Sequence, residues 1–220
     1  VAITKKNERS GRTARRPARE SEALQTGGIA PKTLGRIRAR RMKPPSGHVF
    51  WLCGLSGSGK STLAGSLIAQ LRSEGRPVLS LDGDVLRLGL CRGLGFSDAE
   101  RAENLRRAAE VAKLAADAGL CVVAAFITPR AAHRQSVAEI VGDGRLSFIH
   151  ISAPLEVCRQ RDVKGLYAGA AAGRVAQMTG ITSDFEPPAA AALVIDTARD
   201  AVAESAANLL RFARTRLAAG

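Results

Sequence analysis

The sequence is short of several things, and each shortage narrows what the chain can be. Aromatic residues make up 4% of 220 residues, so Leu, Val, Ile and Ala must fill the interior. No apolar run reaches the roughly 20 residues that a membrane-spanning helix needs, so an embedded helical protein is not expected. The beginning of the chain is polar and basic rather than apolar, which does not fit a secretory signal. Four cysteines (Cys53, Cys91, Cys121, Cys158) form no C-x-x-C pair, and the three histidines do not cluster. Neither a zinc ribbon nor a disulfide scaffold is expected. Cys53 and Cys121 fall in apolar runs and read as small hydrophobes in a reducing, cytoplasmic compartment. Internal repeats are missing too, as is the N-K-x-D signature of guanine recognition, which weighs against a switch-type GTPase.

Acidic residues are the next scarcity, and it is local. Lys and Arg number 33 against 20 Asp and Glu, a formal charge of +13. Residues 1–45 carry thirteen of the basic residues and only Glu8, Glu20 and Glu22, so most of the excess lies there. Residues 1–46 lack apolar periodicity and end in Lys43-Pro44-Pro45-Ser46-Gly47. They read as a disordered basic arm or linker, and residues 47–220 as one domain. A solvated tail is the plain reading of the arm. An organellar transit segment and a nucleic-acid-binding arm stand beside it.

What the chain does have is Gly54-Leu55-Ser56-Gly57-Ser58-Gly59-Lys60-Ser61-Thr62, behind the apolar run Val49–Cys53. Gly54 to Ser61 match G-x-x-x-x-G-K-[ST]. Its glycines let backbone N–H groups converge on phosphate oxygens, Lys60 neutralises the outer phosphates, and Ser61 is the candidate Mg²⁺ ligand. Leu63, Leu67, Ile68 and Leu71 follow at helical spacing.

From residue 48 onward strand and helix patterns alternate. Strands are expected at Val49–Cys53, Val78–Leu81, Leu120–Ile127, Leu146–Ile151 and Leu193–Ile195. Helices are expected at Lys60–Ser73, Asp84–Leu90, Asp98–Ala118, Ala131–Val141, from Pro154 to Arg161, and at Asp200–Leu217. This alternation predicts an α/β fold, a P-loop NTPase-type parallel sheet covered by helices on both faces.

Ligands of such sheets sit beyond the C-terminal strand ends, so chemistry is sought there. The second strand ends in Leu81-Asp82-Gly83-Asp84. Two carboxylates facing a phosphate loop suit a base or a holder of Mg²⁺ water, although an Asp there also serves as a helix N-cap. Arg87, Arg101 and Asn104 are donors for an anionic substrate, with the last two on one helix face. Phe96 is placed to stack on a base, or else to pack in the core. Ser97 and Glu100 form a capping-box pattern. Arg161 and Lys164 are cations for a phosphate clamp under a closing lid.

Together GLSGSGKST, LDGD-x-x-R, LGFS-x-x-x-R-x-ENLRR, PLEVC-x-x-RDVKGLY and TGI resemble the adenylylsulfate kinase family. The resemblance spans about residues 48–214. It implies transfer of the γ-phosphoryl of Mg·ATP to the 3′-hydroxyl of adenosine 5′-phosphosulfate, in sulfate activation. It implies that Gly54–Thr62 hold the ATP phosphates and that Asp84 is the base, with Asp82 nearby. Arg87, Arg101 and Asn104 would bind the sulfonucleotide, Phe96 would lie against its adenine, and Ile127 and Thr128 would line the same site. Lys164 and Leu166 would close over it. A homodimer and a sulfurylase partner are also implied. Val85, Thr128, Arg130, His133 and Met178 depart from the family pattern. His133 is expected on the surface. The alternatives are a P-loop kinase of a related nucleotide or small alcohol, and a nucleic-acid-binding protein that uses the arm.

Overall fold

The computed structural model describes residues 47–142, 144–162, 165–171, 179–181 and 183–218. The expected arm at residues 1–46 lies outside this set, as do Lys164 and Met178. The described elements are β1 (Val49–Cys53), α1 (Lys60–Ser73), β2 (Val78–Asp82), α2 (Gly83–Leu88), α3 (Asp98–Asp117) and β3 (Cys121–Ala125). They continue with α4 (Ala131–Val141), β4 (Leu146–Ser152), α5 (Leu155–Arg161), α6 (Leu166–Ala171), β5 (Leu193–Asp196) and α7 (Val202–Ala218).

Among the described residues the strands form one sheet in the order β2-β3-β1-β4-β5. Every pairing is parallel, with Trp51 opposite Ala124 on one side and Phe148 on the other. A central parallel strand is buried on both faces, and VFWLC is accordingly apolar throughout, with all five residues at 0% exposure. Alternation along β1 sends Phe50 and Leu52 to one face. There they meet Leu63, Leu67 and Leu71 of α1 and Leu209 and Ala213 of α7. Val49, Trp51 and Cys53 point to the other face, against Leu105, Ala108, Ala109 and Ala112 of α3 and Val137 and Val141 of α4. The scarcity of aromatics is met by alanine: the α3 stripe lets that helix lie close to the sheet.

Boundaries follow local chemistry. A capping box starts α3: Ser97 Oγ accepts from Glu100 N, while the Glu100 carboxylate accepts from Ser97 N at 3.0 Å. Asp82 is the N-cap of α2, accepting from Asp84 N at 2.9 Å. The four cysteines are all free and buried. None of the described helices is long and apolar enough to cross a membrane.

His133 differs from expectation. It is 8% exposed, and its Nδ1 has no hydrogen-bond partner. It shares the inner face of α4 with Val137 and Val141, four residues apart each time. Burial lowers its pKa, so the neutral ring is favoured.

Candidate active site

The phosphate loop leaves the central strand, the acid pair leaves β2 and Ile127-Thr128 follow β3. Parallel strands put these segments at the same sheet edge. In the loop, Gly57 has φ +77°, and a Cβ there would lie 2.8 Å from the Cys158 carbonyl oxygen. No residue with a side chain fits that turn. Gly59 is the N-cap of α1, left-handed and without a capping side chain, so the first N–H groups of the helix remain available to an anion. Lys60 is 9% exposed, and its ammonium donates to Leu55 O at 2.6 Å.

Two cavities open on this loop. One, of about 330 Å³, is lined by Gly57, Gly59, Thr62, Arg161, Thr197 and Asp200, among others. The other, of about 320 Å³, is walled by Asp82, Asp84, Arg87, Phe96, Arg101, Asn104, Ile127, Thr128 and Leu166, with Thr179 beside them. Ser56, Lys60 and Ser61 belong to both. The sequence-derived candidates thus fall into two groups that meet at one lysine and two serines. Gly54, Leu55 and Ser58 line neither cavity. Gly54 N donates to Ile127 O at 3.3 Å, tying the loop to the strand beside it.

At the junction Ser61 Oγ donates to Asp82 Oδ2 at 3.1 Å, while Asp82 Oδ1 caps α2. One carboxylate thus caps α2 with one oxygen and meets the hydroxyl of the phosphate loop with the other. Asp84, two residues on, lines the second cavity. A hydroxyl and a carboxylate at this spacing are the hard oxygen donors that Mg²⁺ takes alongside nucleotide phosphates.

The far wall is built differently from the reading of Arg87 and Arg101 as plain substrate donors. Arg87 Nη1 donates to Leu94 O at 2.8 Å and to Gly95 O at 2.7 Å. Arg101 Nε donates to Phe96 O at 2.7 Å. Both guanidinium groups also lie over the Phe96 ring, at 4.4 and 5.5 Å from its centroid. Glu100 completes the clasp by accepting from Gly95 N at 2.8 Å. Its pKa is lowered by the hydrogen bonds from Ser97 and Gly95. The arginines therefore shape the loop as well as face the cavity. Phe96 is 50% exposed, a wall and not a core residue.

Asn104 is 3% exposed with its Nδ2 unpartnered, and Thr179 is 2% exposed with its Oγ1 unpartnered. Both line the second cavity, which gives it two buried polar groups for a ligand to satisfy. Thr128 has φ +45°, rare for a β-branched residue. Trp51 Nε1 donates to its hydroxyl at 2.8 Å, and Arg134 donates to its carbonyl at 3.1 Å. Of the departures from the family pattern, Val85 is 63% exposed and lines neither cavity. Arg130 pairs with Asp98 at 2.9 Å.

Sequence reasoning missed Thr197 and Asp200 on the first cavity and Thr179 on the second. The first two follow the C-terminal end of β5, where the strand-end rule would have found them. It also assigned Tyr167 no role. That side chain is 5% exposed, and its hydroxyl donates to Ser56 O at 3.0 Å.

Two adjoining cavities with a cation and a hydroxyl at their junction suit transfer of a phosphoryl group between two bound molecules. With the phosphate loop on the central strand, they make the fold that of a P-loop kinase. The comparisons narrow this. The family model for adenylylsulphate kinase matches residues 46–196. An adenylyl-sulfate kinase of Paraburkholderia xenovorans is 50% identical over 169 residues, 77% of this chain and 94% of that protein. The APS kinase CysC of Mycobacterium tuberculosis, solved in complex with AMPPNP and APS, is 40% identical with a TM-score of 0.74, over 78% of this chain and 99% of that one. A hexameric APS kinase from Thiobacillus denitrificans is 28% identical with a TM-score of 0.59, over 79% of this chain and 30% of that one. The chain belongs to the adenylylsulphate kinase family.

Proposed function

We propose that the chain transfers the γ-phosphoryl group of ATP to the 3′-hydroxyl of adenosine 5′-phosphosulfate, giving ADP and 3′-phosphoadenosine 5′-phosphosulfate. One observation carries this: Lys60 and Ser61 belong to both cavities, so a donor phosphate in one and an acceptor hydroxyl in the other meet there. The acceptor's 3′-oxygen forms a bond to the γ-phosphorus, the bond from that phosphorus to the ADP oxygen breaks, and Asp84 takes the hydroxyl proton. Lys60 follows the charge that spreads over the transferring group. Arg161 covers the donor phosphates. Arg87, Arg101 and Asn104 hold the acceptor anion, Phe96 stacks on its base, and Ile127, Thr128 and Leu166 complete its enclosure.

Ser61 and Asp82 are suited to hold Mg²⁺ with the donor phosphates. Bound there, the metal would supply charge neutralisation for the donor phosphates. Such a site needs only one or two protein oxygens, in keeping with a set built from one hydroxyl and one carboxylate.

Self-association as a homodimer fits this reading, supported by the oligomeric relative. A sulfurylase is the expected supplier, because the acceptor is a mixed anhydride made by adenylyl transfer to sulfate. Four buried free thiols support a reducing, cytoplasmic setting.

The test offers the purified chain Mg·ATP with adenosine 5′-phosphosulfate, other nucleotides or small alcohols, and follows ADP and the phosphorylated acceptor. ADP should form in step with the 3′-phosphorylated product from the sulfonucleotide. Preference for another acceptor would overturn the assignment.

A further inference from the structure

Four consecutive carbonyl oxygens of the phosphate loop each accept a hydrogen bond from a side chain. Leu55 O takes Lys60 Nζ at 2.6 Å, and Ser56 O takes the Tyr167 hydroxyl at 3.0 Å. Gly57 O takes Arg161 Nη1 at 3.4 Å, and Ser58 O takes the Thr197 hydroxyl at 2.8 Å. Three of these donors lie outside the loop: on α6, at the end of α5, and just past β5. They converge on a backbone whose glycines would otherwise leave it loose.

The geometry has a consequence for ligand binding. In a trans peptide the C=O and the following N–H point in opposite directions. Tying down Ser56 O and Ser58 O therefore fixes the aim of the N–H groups of Gly57 and Gly59. Both glycines line the donor cavity, with φ +77° and +97°. Thr197 also accepts from Arg161 Nη1 at 3.1 Å, and its carbonyl accepts from Nη2 at 2.6 Å. One residue thus holds both the loop and the cation beside it. Burial raises the Tyr167 pKa to about 12, so its hydroxyl keeps the donating proton throughout the neutral range.

We propose that Tyr167 and Thr197 are positioning residues for the donor triphosphate: their hydroxyls hold the phosphate loop in its anion-binding shape before nucleotide arrives. This rests on reading the first cavity as the ATP site. Neither hydroxyl needs to touch the nucleotide. Each acts through the backbone, which lowers the ordering cost of binding.

The test measures Mg·AMPPNP affinity by calorimetry on the full chain for wild type, Tyr167→Phe, Thr197→Val and Thr197→Ser, with thermal unfolding of each as a check on folding. Tyr167→Phe and Thr197→Val should each weaken binding about three- to tenfold, the range of one lost hydrogen bond. Thr197→Ser keeps the hydroxyl and should bind as wild type. In steady state, KM for ATP should rise with the same variants while KM for adenosine 5′-phosphosulfate stays within about twofold. Variants that unfold earlier yet bind the analogue like wild type would overturn the proposal, since that is what a purely structural role predicts. Equal rises in both KM values would overturn it too. Wild type that fails to bind the analogue removes the ATP-site reading and this proposal with it. Wild type that binds the analogue but leaves the sulfonucleotide untouched removes only the acceptor assignment, and the binding comparison still decides.

Discussion

The two cavities are built on opposite plans. The donor side is one continuous turn on the central strand, clamped from outside by Tyr167, Arg161 and Thr197. The acceptor side is assembled from α2, the 94–97 loop, α3, the end of β3 and α6, and its exposed Phe96 is held by two arginines and a glutamate. A phosphate chain is the same in every reaction that uses it, so a fixed backbone cradle suits it. An acceptor is particular, and separate elements let its pocket be shaped side chain by side chain.

Four substitutions probe this contrast, with effects of decreasing size. Lys60→Ala should act on the shared wall and lower kcat by about 10³-fold or more, as loss of a transition-state cation does; activity near wild type in a coupled ADP assay would place charge neutralisation elsewhere. Asp84→Asn should lower kcat about 10²-fold with Mg·AMPPNP affinity held within about twofold, because it removes a proton acceptor and not a donor-site contact. An unchanged rate would move the base. Phe96→Ala should raise the acceptor KM about tenfold, the range of one base–aromatic stack, and leave KM for ATP alone. A rise in both would mean the two sides are not separable.

The smallest effect belongs to the sheet that carries both sides. His48 is buried, bonded to Ser147 Oγ at 2.9 Å, and its pKa is lowered to about 4 by burial and by Arg216. Below pH 6.5 the unfolded chain takes up a proton that the folded chain refuses, so the contribution of this group to stability should decline from pH 6.5 toward 4 and change no further beneath that. His48→Gln should flatten this limb in a Tm-against-pH series without changing either KM at pH 8. A limb of the same slope in the variant would point to another group.

The same contrast explains how much could be read from the chain. The phosphate loop was legible because its residues are consecutive and their spacing is that of a known phosphate-binding pattern. The bounds of β1, α1 and α4 came directly from apolar periodicity and punctuation. Short α6 was not assigned, since its Gly and Ala carry no amphipathic signal. Much of the second cavity's wall was legible residue by residue, Thr179 excepted, but its internal wiring was not. Arg87 and Arg101 give donors to the Phe96 loop from only 5 to 8 positions away, but that loop has no periodicity from which the direction of its carbonyls could be read. Thr197 is hidden for a different reason, as its hydroxyl touches a loop 139 positions away. The inward place of His133, by contrast, follows from its spacing to Val137 and Val141 along α4.

Thr128 gives the acceptor wall one more property. Its left-handed backbone costs on the order of 1–3 kcal/mol for a β-branched residue, and Trp51 and Arg134 keep it from relaxing. A search for hardier variants judged only by heat tolerance would therefore be drawn to this residue. Asparagine, at ease in that conformation and able to accept from the indole, would be a natural winner. The resulting protein would survive longer in a hot tube while its second pocket had lost the hydroxyl-and-methyl contour that threonine gives it.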